Sequence, residues 1–324
     1  MGRIRLAFCV SLLAAMLSAS PAHAHFDDDP DTWLRQMESA LATFDYRGTF
    51  VYIHGEQAET MLVYHRVGPD GTRERLVSLN GSAREILRND DEVKCILPDD
   101  RSVFVEKRHA GRTLARGIPL DAIRNSDNYE FELLGSGRIA GRSARLVAIK
   151  PRDGFRYGYQ LWLDEKTALP LRSELVNESG QPIEKMMFTE IEIGAKIDDA
   201  LLEAGVSSEG FTWHVRGGDD ETVAERATPV EFSELPPGYR VTSAELRPDD
   251  SQSSWHLVLS DGLASVSVFV EPVTQGKPSL DGLSRSGAVN AYGVRVSQHQ
   301  VTVVGEVPET TVEVIGSAVS LAYR

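Results

Sequence analysis

The stretch Tyr46-Arg47-Gly48-Thr49-Phe50-Val51-Tyr52-Ile53-His54 is followed, past the turn Gly55-Glu56-Gln57, by Thr60-Met61-Leu62-Val63-Tyr64-His65-Arg66. Both segments are rich in β-branched and aromatic residues and have a period of two, so both read as strands. Apolar side chains stand on both of their faces. Phe50 and Tyr52 point one way, Val51 and Ile53 the other; Met61 and Val63 oppose Leu62 and Tyr64. A sheet with one wet face alternates apolar with polar residues, so here both faces need cover. Protein can pack on both sides, or one face can line an apolar cavity inside a curled, incomplete barrel that holds one apolar ligand. The residues alone leave both arrangements open.

The pattern continues downstream. Strands are predicted at 72–79, 84–88, 92–97 and 103–107, separated by Pro69-Asp70-Gly71, Asn80-Gly81, Asn89-Asp90 and Pro98-Asp99. Further strands follow at 129–134, 142–149, 157–164, 171–177 and 183–193. Regular spacing with turn residues between means an antiparallel meander. Short helices are expected near Pro119–Arg124 and Asp198–Ala204. Upstream, Trp33, Leu34, Met37, Ala40 and Leu41 recur at helical spacing, so residues 31–43 read as a helix capped by Asp31 or Thr32.

Residues 206–229 are polar and glycine-rich and read as a linker, with Phe211, Trp213 and Val215 as a short strand docking on a neighbour. Beyond it, Trp255–Ser260 and Ala264–Glu271 form a hairpin across Asp261-Gly262, a type I′ signature. Strands at 294–297 and 300–304 follow. Pro308 opens a C-terminal helix with Val312, Ile315, Val319 and Leu321 as its apolar stripe.

The N-terminus is of another kind. Arg3 and Arg5 precede an apolar run, Leu6 to Leu17, and Ala22-His23-Ala24 fits a small-x-small cleavage site. The run is shorter than the ~20 residues of a spanning helix. We therefore expect residues 1–24 to be a cleaved export signal, leaving 25–205 as a first domain, 206–229 as linker and 230–324 as a second. Of the two cysteines, Cys9 leaves with the signal. Cys95 then stands alone in a strand, which excludes an internal disulfide.

The 324 residues carry 48 Asp+Glu against 34 Lys+Arg, a formal charge of −14. Loss of the signal's two arginines makes the remainder more negative still. Such a chain repels a phosphate backbone, so no nucleic-acid partner is expected. Within this acidic chain, basic residues concentrate at 60–120, among them Arg66, Arg73, Arg75, Arg84, Arg88 and Lys94. They are either exterior solubility charge or a patch for an anionic partner. Catalytic motifs are absent. Apart from His23/His25, which cleavage separates, no histidines stand at H-x-H or H-E-x-x-H spacing. There is no G-x-S-x-G elbow, P-loop or EF-hand, and Gly135-Ser136-Gly137 lies between strands. We expect no enzyme, no cofactor and no metal site.

Longer motifs carry a resemblance. Tyr46–Tyr52 leads into His54-Gly55, Glu59-Thr60-Met61 and His65-Arg66, then Glu74-Arg75-Leu76-Val77-Ser78-Leu79-Asn80-Gly81 and Arg84-Glu85-Ile86. In the second domain come Trp255-His256-Leu257-Val258, Ser260-Asp261-Gly262 running to Phe269, Gly287–Gly293 and Gln300–Pro308. Together they resemble the RseB/MucB family of periplasmic sigma-E regulators, over essentially the whole chain after the signal. The resemblance implies a mainly β (α+β) fold: an N-terminal unclosed antiparallel β-barrel of LolA/LolB type with helices, and a smaller C-terminal α/β domain. It implies a periplasmic negative regulator that binds the periplasmic part of the anti-sigma factor RseA/MucA and shields it from site-1 cleavage. Lipopolysaccharide or an acyl lipid would release it. An apolar lipid face would then include Phe50, Tyr52, Met61, Val63 and Ile86, and the partner contact would fall around Trp255, Phe269 and Tyr292. The alternative reading is a lipid or lipoprotein carrier of LolA type. Homo-oligomerisation is left open.

Overall fold

The computed structural model describes residues 29–107, 127–216, 228–247, 254–273 and 279–322. The first element, α1 (Pro30–Leu41), starts one residue earlier than its periodicity suggests. Asp29 is the cap, not Asp31 or Thr32. Its carboxylate accepts from the amide of Thr32 at 2.9 Å and from the Thr32 hydroxyl at 2.7 Å. Pro30 takes the first helical position, where a missing N–H costs nothing.

The large sheet follows in two meanders. The first is β1 (Tyr46–His54), β2 (Gln57–Gly68), β3 (Gly71–Ser78), β4 (Glu85–Arg88), β5 (Glu92–Leu97) and β6 (Ser102–Lys107). The second is β7 (Tyr129–Ile139), β8 (Arg142–Pro151), β9 (Gly158–Asp164), β10 (Pro170–Val176) and β11 (Pro182–Ile193). Antiparallel pairing of β1 with β11 joins them. β12 (Thr212–Arg216) then adds to β6 in parallel, as the docking strand expected from Trp213. The order is β12-β6-β5-β4-β3-β2-β1-β11-β10-β9-β8-β7, a twelve-stranded unclosed sheet. Gly48 marks a close approach within it. A side chain there would meet the Glu190 carbonyl oxygen at 2.4 Å, beside the register shift between Thr49 and Phe50.

The remaining strands are β13 (Val230–Phe232), β14 (Arg240–Arg247), β15 (Ser254–Ser260), β16 (Ser265–Pro272), β17 (Gly282–Ser286), β18 (Val289–Val296) and β19 (His299–Gly305). They precede α2 (Glu309–Ala318) and β20 (Val319–Leu321). Six strands form a second sheet in the order β14-β15-β16-β19-β18-β17, while β13 pairs with β20. Val312 and Ile315 of α2 pack on Leu257, Leu259, Val268, Val301 and Val303, all fully buried. The protein is thus mainly β: a large unclosed sheet plus a smaller sheet unit bearing one helix.

The differences from expectation are local. The helix expected at 198–204 is a single 3₁₀ turn, Asp199–Leu202. The helix expected near 119–124 lies outside the described residues. The stripe Val312, Ile315, Val319, Leu321 is broken after Ala318. Val319 adopts an extended conformation and pairs with Phe232, where a β-branched residue is more at ease than at a helix end. The hairpin turn is longer than Asp261-Gly262. Asp261 Oδ1 accepts from the amides of Leu263 and Ala264 at 2.9 and 2.8 Å, closing a four-residue loop. Among the described residues, no helix is long and apolar enough to cross a membrane.

Candidate ligand face and partner surface

Residues directly opposite each other in neighbouring strands share a face, so the register assembles the site. Gly48, Val63, Leu76, Ile86, Cys95, Phe104 and His214 stand opposite one another in turn from β1 to β12. A second row on that face runs the other way: Leu133, Val147, Leu161, Ser173, Met186, Tyr52 and Glu59, from β7 to β2. Phe50 lies between the rows, opposite Met61 and Phe188. Phe50, Tyr52, Met61, Val63 and Ile86 therefore all lie on one side of the sheet. Met61 and Val63 are buried, the other three half-buried.

We call this the inner face, because α1 lies on it. Trp33, Leu34 and Met37 pack on Val147, Ile149 and Leu161, and Ala40 packs beside Tyr46, Val63 and Phe188. At the β12 end, Phe104 is 43% exposed and stacks on His214 with centroids 4.6 Å apart. Burial pushes the Cys95 thiol up, away from the reactive thiolate form.

Two polar devices edge this face. Tyr52 donates its hydroxyl to Glu184 at 2.5 Å. Burial, then this carboxylate, raises the phenol well above its ordinary value, so it stays a donor. Near the end of α1, His65 is 1% exposed. Its Nδ1 lies 2.8 Å from Glu74 and its Nε2 3.2 Å from the Leu41 carbonyl. Burial opposes charge on Glu74, yet the hydrogen bond from His65 and the charge of Arg88, 3.6 Å away, hold its carboxyl below the ordinary range.

The opposite face is closed by the chain itself. Ala195, Ile197 and Leu202 pack on Tyr64, and Val206 and Phe211 on Leu87, Ile96, Val103 and Val105. The arginines serve this closure. Arg66 and Arg73 reach Asp199 at 2.6 and 3.1 Å, Arg73 reaches Glu203 at 2.8 Å, and Arg75 reaches Glu85 at 3.2 Å. Arg84 pairs with Glu59, and Lys94 lies 3.4 Å from Glu92. The basic concentration is thus a set of ion pairs, much of it pinning the 195–205 segment. Arg66, Arg73 and Arg75 lie on the face opposite Phe50.

In the second sheet the three residues expected at a partner contact separate. Trp255 and Tyr292 pack against the core under α2; a side chain at Gly316 would meet the Tyr292 ring at 2.6 Å. Phe269 lies on the other side, opposite His256, with centroids 4.5 Å apart and planes 3° from parallel. Half-buried Val258, Ser267, Thr302 and Val304 accompany them on that side.

The sequence reading missed the junction of the two sheets. The β8–β9 turn carries Arg156, whose side chain is fully buried, 3.2 Å from the equally buried Asp261 and 3.3 Å from Asp153. The guanidinium lies over the rings of Tyr129 and Tyr239, 5.4 and 5.2 Å from their centroids, and donates to the Pro237 carbonyl at 2.5 Å. Tyr129 donates to Asp261 at 2.7 Å. Asn290 donates to the Tyr157 hydroxyl at 3.1 Å and to the Val307 carbonyl at 2.7 Å. In the sequence Asp261 carried a turn signal, Tyr129 and Tyr157 opened predicted strands and Asn290 and Val307 fell in longer motifs, but nothing tied these positions to one another or to Arg156. Among the described residues, no group of three or more His, Cys, Asp or Glu could hold a metal ion.

Comparison with known proteins agrees over most of the chain. The profile of the MucB/RseB N-terminal domain matches residues 29–206, and that of the MucB/RseB C-terminal domain residues 224–320. The chain is 35% identical over 309 residues to the sigma factor AlgU regulatory protein MucB of Pseudomonas aeruginosa, covering 93% of both. It is 25% identical over 303 residues to the sigma-E factor regulatory protein RseB of Escherichia coli K12, covering 93% of this chain and 91% of that one. Its structure is similar to MucB in the Pseudomonas aeruginosa MucA/MucB complex, with a TM-score of 0.72 and 31% identity over 91% of this chain and 100% of that one. A second structure, MucB in complex with MucA(peri), has a TM-score of 0.71 at 30% identity, again over 91% and 100%. The chain belongs to the MucB/RseB family of sigma-factor regulatory proteins, a family of regulators and not of enzymes.

Proposed function

We propose that this protein is a periplasmic negative regulator of an envelope-stress sigma factor. It binds the periplasmic segment of a MucA/RseA-type anti-sigma factor and shields it from site-1 cleavage. Lipopolysaccharide or an acyl lipid, taken up on the inner face, releases it. The division into a signal (1–24), a ligand-sensing domain (25–205), a linker (206–229) and a partner-binding domain (230–324) belongs to the same reading.

The observation that carries it is the likeness, over 91% of this chain, to a MucB chain solved with the periplasmic part of MucA. The apolar residues Phe50, Met61, Val63 and Ile86 on the inner face support the lipid step, since an acyl chain needs apolar surroundings. On the second sheet, the side bearing Phe269 suits a partner contact better than the core positions of Trp255 and Tyr292.

The test is calorimetric titration with the periplasmic segment of the cognate anti-sigma factor, followed by its cleavage by the site-1 protease. Binding, slowed cleavage, and restored cleavage on adding lipopolysaccharide micelles are expected. Absence of binding would overturn the reading.

A further inference from the structure

The two sheet units exchange side chains. Phe155, from the β8–β9 turn of the large sheet, packs against the second core beside Leu257, Val307 and Val312. Its carbonyl accepts from Tyr239 at 3.1 Å and from Thr311 of α2 at 2.8 Å. In return Leu263, from the β15–β16 loop, packs into the cluster that seats α1, against Trp33, Leu34 and Met37. Between these insertions lie Arg156 and Asp261, both with side chains 0% exposed.

Tyr129 belongs to both sides of this junction. Its ring is part of the α1 cluster, and its hydroxyl holds Asp261 at 2.7 Å. The same ring lies under the Arg156 guanidinium. Asp261 meanwhile shapes the loop that carries Leu263. The seat of α1 and the junction thus share Tyr129 and, through its loop, Leu263. A displacement of one is felt by the other.

We propose that Tyr129, Arg156 and Asp261 form a latch that joins the two sheet units and opens when α1 is lifted from the large sheet. A buried ion pair deprived of one partner is strongly unfavourable, enough to shift a docking equilibrium by roughly a hundredfold or more. The junction therefore has two states, closed with Arg156 and Asp261 paired or open to water. An apolar ligand sliding between α1 and the sheet displaces what Trp33, Leu34 and Met37 touch, Tyr129 and Leu263 included. This last step rests on the proposed role of the inner face; the latch itself does not.

The test uses the full-length exported chain carrying Cys95→Ser, spin-labelled through Glu165→Cys and Glu313→Cys, one exposed site in each unit. Pulsed electron resonance then reads the distance between them. The parent is expected to give one narrow distribution. Tyr129→Phe, which keeps the ring, and Arg156→Met should both lengthen and broaden it, with circular dichroism confirming the fold. Leu34→Ala, on α1 and outside the ion pair, should broaden it too. Unchanged distributions in Tyr129→Phe and Arg156→Met would overturn the latch, and an unchanged one in Leu34→Ala its link to α1. Lipopolysaccharide micelles are added in a second arm, with binding measured by co-sedimentation. Binding that broadens the parent supports the ligand step, and binding without broadening overturns that step. No binding overturns the lipid reading and leaves the latch to be judged by the variants.

Discussion

The imidazole of His65 lies flat against the ring of Tyr46, with centroids 4.4 Å apart and planes 11° from parallel. Tyr46, His65, Glu74 and Arg88 stand opposite one another in successive strands from β1 to β4, and the bond from His65 to the Leu41 carbonyl ties this polar row to the end of α1. Removing the carboxylate leaves His65 and Arg88 without their shared partner. Glu74→Gln should therefore destabilise the protein by about 3 kcal/mol at neutral pH, as read by urea unfolding.

The same group sets an acid limit. The Glu74 carboxyl is held below its ordinary value of 4.5. Its contribution is fully present above that value and is lost as pH falls through its own lower one. Thermal unfolding followed down through that range should show the Tm of the parent falling more steeply than that of Glu74→Gln. Parallel curves would show that another group governs the acid limit.

On the inner face, Phe50→Asp should abolish uptake of lipopolysaccharide or an acyl probe. An unpaired carboxylate in apolar surroundings costs several kcal/mol. Val51→Asp, one residue along and on the opposite face, is the control and should leave uptake intact. Equal loss in both variants, or loss of the circular dichroism signal, would mean that Phe50 is needed for packing alone.

On the second sheet, Phe269→Ala should weaken anti-sigma binding at least tenfold while leaving the Tm nearly unchanged. Tyr292→Ala should do the reverse, lowering stability by about 3 kcal/mol, because its ring fills the space under Gly316. Paired calorimetry and thermal unfolding separate the two roles.

At Gly48, even a methyl group collides with the Glu190 carbonyl. Gly48→Ala should strain the β1–β11 seam and cost about 2 kcal/mol, measured by denaturant midpoint.

The meander of β1 to β11 was legible because each turn carries its own chemistry, from Pro69-Asp70-Gly71 to Asn89-Asp90. Grouping Phe50, Tyr52, Met61, Val63 and Ile86 on one face was legible from strand alternation. That this face is the one covered by α1 was not, since it depends on pairings between residues more than a hundred positions apart, such as Phe50 with Phe188. β14 and β17 were missed because they are edge strands with mixed, largely polar faces, and so lack a strong apolar alternation. The arginines showed their number in the sequence but not their partners. Asp199, Glu203 and Glu85 reach them only once the chain has folded back. Arg156 gave no local signal, because apart from Asp153 on its own turn its surroundings come from three separated segments, around Tyr129, Tyr239 and Asp261.

The exchange of Phe155 for Leu263 has a consequence for heredity. Neither unit completes its own interior, since each borrows apolar side chains from the other, Phe155 going one way and Leu263 and Ala288 the other. A gene cut between them would yield two fragments, each with a hole and a stray hydrophobic residue. Recombination cannot shuffle such halves freely among other proteins. They have to be inherited, and to change, as a pair.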